Sequence, residues 1–110
     1  MQRSRFSTET AALAHENTIL ASDVLPQGIK APFGHAWGYL DHPAQMDAHT
    51  HPKAEVYFFF KGNGFVQVDG EKEPVAPGDV IYIPPDALHT VINEENAELL
   101  WAAFWWDEVK

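Results

Sequence analysis

His49-Thr50-His51-Pro52-Lys53-Ala54-Glu55-Val56-Tyr57-Phe58-Phe59-Phe60-Lys61 sets two histidines one residue apart and runs on into an aromatic, strand-forming segment. Side chains of a strand alternate between its faces. His49 and His51 therefore project to one side, and Glu55, Tyr57 and Phe59 share a face that Val56, Phe58 and Phe60 do not. A later stretch, Pro84-Pro85-Asp86-Ala87-Leu88-His89-Thr90-Val91-Ile92-Asn93, brings a third histidine in a similar setting, turn residues followed by a β-branched run. Three imidazoles and one carboxylate in two strand-like segments form a donor set for a divalent metal.

Outward from these segments the chain reads as short strands between turns. Residues 34–40, 46–51, 56–61, 65–68, 79–83, 89–92 and 98–106 read as strands. The breaks are Asp41-His42-Pro43, Gly62-Asn63-Gly64, Asp69-Gly70, Pro77-Gly78 and Pro84-Pro85-Asp86. Asp69-Gly70 suits a two-residue hairpin whose central positions need positive φ. Many short strands with almost no helical pattern predict an all-β antiparallel sandwich or barrel. Residues 1–30 are less patterned and read as an N-terminal arm, with a short helical turn over 8–15 and one edge strand over 18–21. The barrel domain is expected over 31–110.

At 110 residues the chain is sized for one domain with a single core. There are no cysteines, which excludes disulfides, thiolate metal sites and cysteine nucleophiles; any ion must be held by nitrogen and oxygen. Ser4, Ser7 and Ser22 are the only serines and all fall in the arm, so the barrel lacks a serine nucleophile. Gly62-Asn63-Gly64 is followed by Gln67 where a dinucleotide fingerprint needs glycine, and reads as a hairpin turn. A net charge of -9 without a basic cluster argues against nucleic acid as a partner. The longest apolar run, 99–106, is far short of the roughly 20 residues of a membrane span. No apolar stretch follows Arg3 and Arg5, so a soluble, cytoplasmic protein is expected. Two strands, 56–61 and 98–106, are apolar on both faces. A small sheet of that kind needs cover on its second side, and a homodimer is the expected cover.

Two histidines at i and i+2 converge on one ion, and this nitrogen–oxygen mixture suits iron, manganese, nickel, zinc, cobalt or copper. As motifs, His49-x-His51-x3-Glu55-x6-Gly62 resembles the first motif of the cupin family, and Gly78-x5-Pro84-x-Asp86-x2-His89-x3-Asn93 resembles the second. The likeness covers residues 40 to 106, with the short spacing between motifs of small single-domain bacterial cupins. Pro43 and Asp86 stand where glycine is expected, and Asp accepts left-handed backbone better than most residues. The resemblance implies a jelly-roll β-barrel, a double-stranded β-helix, with His49, His51, Glu55 and His89 as ligands of one divalent metal ion. It selects no reaction, because cupins include dioxygenases, isomerases, epimerases, lyases, sugar-binding regulators and storage proteins.

The expected function is a metal-dependent enzyme acting on a small oxygenated metabolite, of dioxygenase or isomerase/lyase type. A non-catalytic cupin that binds a sugar or other metabolite is the alternative, and a metal-stapled structural barrel is a third reading. Tyr57, on the Glu55 face, and His35 and Tyr39, which share a face with Trp37, are the candidate acid–base residues. His15 and His42 are expected in solvent, and Asn93 at a turn or strand end. The C-terminal tryptophans are expected in the core and the dimer interface.

Overall fold

The structure, a computed structural model, describes residues 1–108; Val109 and Lys110, the end of the expected barrel domain, lie outside the described residues. Ten strands carry the fold: β1 (Ala12–Ala14), β2 (Ile19–Ser22), β3 (Gly34–Leu40), β4 (Ala44–Gln45), β5 (Ala54–Lys61), β6 (Gly64–Val68), β7 (Glu71–Val75), β8 (Val80–Ile83), β9 (His89–Asn93) and β10 (Leu99–Trp106). They form a six-stranded sheet in the order β1-β2-β3-β10-β5-β8 and a four-stranded sheet in the order β4-β9-β6-β7. The strand pairings are antiparallel throughout. Tyr57, Phe59 and Trp101 of the larger sheet share one core with Val66, Val75 and Val91 of the smaller. This is the all-β antiparallel architecture that the strand pattern predicts, in the jelly-roll form that the cupin resemblance implies.

Period-two alternation decides what faces the core. On β5, Glu55, Tyr57 and Phe59 are buried, whereas Phe58 and Phe60 are 37% and 55% exposed. The apolar run thus has an inside and an outside, and the carboxylate is on the inside. Register then carries the pattern to the neighbouring strands, since β10 pairs Trp101 with Gly38 of β3 and Trp105 with Gly34. A Cβ on Gly38 would lie 2.2 Å from the Trp101 indole, and one on Gly34 would lie 2.0 Å from the Trp105 indole. The inner face of β3 is therefore its small-residue face. His35, Trp37 and Tyr39 point outward because two tryptophans from β10 occupy the space inside.

The turns follow their chemistry. Asp69 and Gly70 have φ of 47° and 87° and join β6 to β7 in a tight hairpin. Asp86 adopts φ of 67°, the left-handed conformation for which a glycine would otherwise be used. Asn93 ends β9 and organises the turn beyond it. Its amide donates to the Leu40 and Ala97 carbonyls and its oxygen accepts the Glu95 N–H.

Three segments differ from expectation. The helical turn over 8–15 is a single turn, in which the Ser7 carbonyl accepts the N–H groups of Thr10 and Ala11, and it is followed at once by β1. β1 and β2 form a hairpin, and β2 pairs with β3, so residues 12–22 extend the large sheet. The strand expected over 46–51 does not form: β4 ends at Gln45, just before it, and within 46–51 there is one isolated bridge, between His49 and His89. There the chain still runs alongside β9, with the Met46 N–H bonded to the Val91 carbonyl and the His49 N–H to the His89 carbonyl. β7 is absent from the expected strands, because Glu71-Lys72-Glu73-Pro74 has the charge and the proline typical of an exposed edge. Among the described residues, no helix is long and apolar enough to cross a membrane.

Gly38→Ala tests the seat of Trp101. The added methyl forces either the indole or β10 to shift, and overpacking of this kind costs about 1–3 kcal/mol. Thermal or urea denaturation is expected to show that loss; an unchanged midpoint would contradict the packing.

Candidate metal centre

His49 and His51 lie on the irregular segment before β5, Glu55 is the second residue of β5, and His89 opens β9. The isolated bridge between His49 and His89 brings the two motifs together, and β5 supplies the carboxylate from the opposite sheet. One donor atom from each of His49, His51, Glu55 and His89 can be chosen so that all four lie within 4.8 Å of one another. His89 and Glu55 are deeply buried, at 1% and 5% exposed, while His49 and His51 keep partial access to solvent.

The three imidazoles are oriented in the same way. His49 Nδ1 bonds the Asp47 carbonyl at 2.9 Å, His51 Nδ1 the Lys53 carbonyl at 3.0 Å and His89 Nδ1 the Ala87 carbonyl at 2.9 Å. A carbonyl only accepts, so each Nδ1 carries the proton and each Nε2 is left with its lone pair. Nε2 of His51 and of His89 then stand 3.0 and 3.2 Å from Glu55 Oε1. In that tautomer two ring nitrogens and a carboxylate oxygen face one another as acceptors. His89 Nε2 is buried without a hydrogen-bond partner, although its distance to Glu55 would permit one. We take it as an acceptor, because its proton is fixed on Nδ1. Such a cluster is costly unless a cation fills it.

The donors fit a divalent ion. With bonds of about 2.0–2.2 Å, donors on adjacent corners of an octahedron lie about 3 Å apart, close to the separation of Glu55 Oε1 from Nε2 of His51 and His89. Main-chain carbonyls that take the second ring N–H are the usual support for metal-binding histidines. The sequence expectation of four ligands therefore meets a geometry that could hold the ion.

The three acid–base candidates separate. Tyr57 is inside, two residues along β5 from Glu55, with its ring 6.1 Å from that of His89. Burial first, then the Glu55 charge and hydrogen bonding, hold its pKa well above the ordinary phenol range, so it is a donor at neutral pH. His35 and Tyr39 are on the outer face of β3. His35 Nδ1 accepts the Val24 and Leu25 N–H groups, and the Tyr39 hydroxyl donates to Glu98 at 2.7 Å. The large sheet thus lies between these two residues and the four donors, and the acid–base expectation for them is corrected to structural roles.

His15 is the residue that sequence reasoning missed. It is solvent-exposed, as expected, but it also stacks on His49, with centroids 4.1 Å apart and planes 17° from parallel. His42 is exposed too and pairs with Asp41. Partial desolvation is the largest cause lowering the pKa of both His15 and His49; neighbouring imidazoles add to it, while the Glu55 charge and, at His49, the Asp47 carbonyl oppose it without reversing it. In chelator-treated protein, unfolding exposes imidazoles that bind protons more readily than the folded ones. Stability is then full above the ordinary imidazole value of 6.5 and falls as the pH drops below it. Thermal melts from about pH 7.5 to about 5.5 are expected to show this fall, and a flat profile would contradict it.

A family model described as the cupin domain matches residues 40–105. Among solved structures, a cupin 2 conserved barrel domain protein from Salinispora arenicola superposes with a TM-score of 0.85 at 26% identity, over 97% of this chain and 89% of that one. The plu4264 protein of Photorhabdus luminescens gives a TM-score of 0.83 at 30% identity, over 96% and 88%. A glucose-6-phosphate isomerase of Thermococcus kodakarensis is 35% identical over 65 residues, which are 52% of this chain and 34% of that enzyme. The matches to curated relatives span only 34% to 36% of those proteins' lengths. Motifs, barrel and donor set agree with the family match, and the chain belongs to the cupin family.

Proposed function

We propose that the protein is a metal-dependent enzyme acting on a small oxygenated metabolite. The observation that carries this reading is the convergence of donor atoms from His49, His51, Glu55 and His89 beside a partly open cavity of about 60 Å³. The chemistry such an ion supplies when bound is polarisation of a substrate oxygen or, with iron, activation of dioxygen. The chain's own residues do the rest. Trp101, Trp105 and Met46 wall the cavity with apolar surface that excludes bulk water, and Tyr57 offers an O–H to a substrate oxygen. Likeness to the T. kodakarensis glucose-6-phosphate isomerase over part of its length supports the isomerase form of the reading.

A non-catalytic binder is the second reading, favoured by the few titratable groups on the cavity wall. Screening metal-loaded protein against hydroxy acids, keto acids, sugars and catechols separates the two. Turnover is expected to fall about 100-fold or more in Tyr57→Phe, as for loss of a positioned proton donor, and to persist in His35→Gln, which alters only the outer face. A ligand recovered unchanged, with no turnover from any class, would favour the binder.

The homodimer belongs to this proposal too. Phe33, Phe58, Phe104 and Trp106 line an open apolar groove on the outer face of the large sheet, and a second copy would cover it. Light scattering is expected to give twice the chain mass for the parent protein and the single-chain mass for Phe58→Asp; a monomeric parent would refute the dimer.

A further inference from the structure

His15 reaches the four donors from outside both motifs, and any role for it there rests on the proposed metal centre. It stands at the tip of the β1–β2 hairpin, where His15, Glu16 and Asn17 have φ of 51°, 58° and 61°. Left-handed backbone is unfavourable for residues with a Cβ and persists only where the surroundings hold it. Here they do. The Thr18 hydroxyl donates to the His15 carbonyl and accepts the Asp47 N–H at 2.8 Å, and the Asp47 carbonyl holds His49 Nδ1. The strained tip is thus tied to a metal ligand through consecutive hydrogen bonds.

Held in this way, the imidazole stacks on His49 and also lines the cavity beside Glu55. It is not one of the four clustered donors. Among the described residues, no protein group hydrogen-bonds its ring nitrogens. The cavity wall is otherwise apolar except for Glu55 and Tyr57. We propose that His15 is a ligand-contacting residue, whose imidazole hydrogen-bonds a small anion bound at the ion. A divalent cation with one carboxylate leaves the centre net positive, which favours an anion of few heavy atoms in a cavity of this size. A neutral imidazole keeps one N–H, so the contact needs no change of protonation.

The test uses the full chain loaded with cobalt, with azide as the probe, followed by visible absorption, and with cobalt content measured on the same samples. His15→Phe keeps a ring to stack on His49 but loses the hydrogen bond. His15→Asn keeps the left-handed turn, since Asn adopts it readily, but its amide is too short to replace the imidazole. Both variants are expected to bind cobalt stoichiometrically and azide about tenfold more weakly, the effect of one lost hydrogen bond. Azide affinity equal to the parent's in both would overturn the contact. Loss of cobalt from both would also overturn it, making His15 a support for His49. A parent protein that takes up no cobalt would sink the metal reading itself, and the His15 contact with it.

Discussion

Each site histidine gives its Nδ1 proton to a main-chain carbonyl two residues away, and that constraint organises the centre. It sets the orientation of all three rings and turns Nε2 of His51 and His89 toward the Glu55 carboxylate. In a sandwich whose interior is otherwise built of Trp101, Met46, Ile83 and Leu99, this would be a poorly compensated island of acceptors. A bound cation would resolve it. The same four groups would then cross-link β5 and β9, strands that belong to different sheets.

The large sheet divides the molecule into two chemical sides. Inside are the donors, Tyr57 and the tryptophan-walled cavity. Outside is an aromatic surface where Phe6 packs against Trp37 and Tyr39, and Phe33 against His35 and Phe104. Gly34 and Gly38 make this division possible, because only a strand without side chains at those positions admits the two indoles from β10. Tyr39 is tied to Glu98, which also receives the Lys61 ammonium at 2.7 Å, so the outer face has its own polar anchoring. Nothing there is needed to explain the metal centre.

Much of this was legible in the sequence. The β3 segment, β6, β9 and β10 were recognisable from β-branched and aromatic runs between turn residues, and the ligands from histidine spacing. Parity showed that His35, Trp37 and Tyr39 share a face but not which way that face turns. The aromatic set looks like the inside until the demand of Trp101 and Trp105 for space is known, and that demand is set by cross-strand register. β7 was hidden by its charges and proline. The β1–β2 hairpin was hidden for a different reason. Its tip holds three non-glycine residues in left-handed backbone, a conformation that local propensity disfavours and that only the Thr18–Asp47 contact makes intelligible. His15 went unnoticed with it.

The most direct measurement is elemental mass spectrometry on protein purified without an affinity tag or chelator, beside a His51→Ala variant. A centre of three oriented imidazoles and a buried carboxylate predicts close to one divalent transition-metal ion per chain, lost from the variant. A parent protein that is empty as purified and refuses reloading would contradict it, and would leave the acceptor cluster around Glu55 without the cation that explains it.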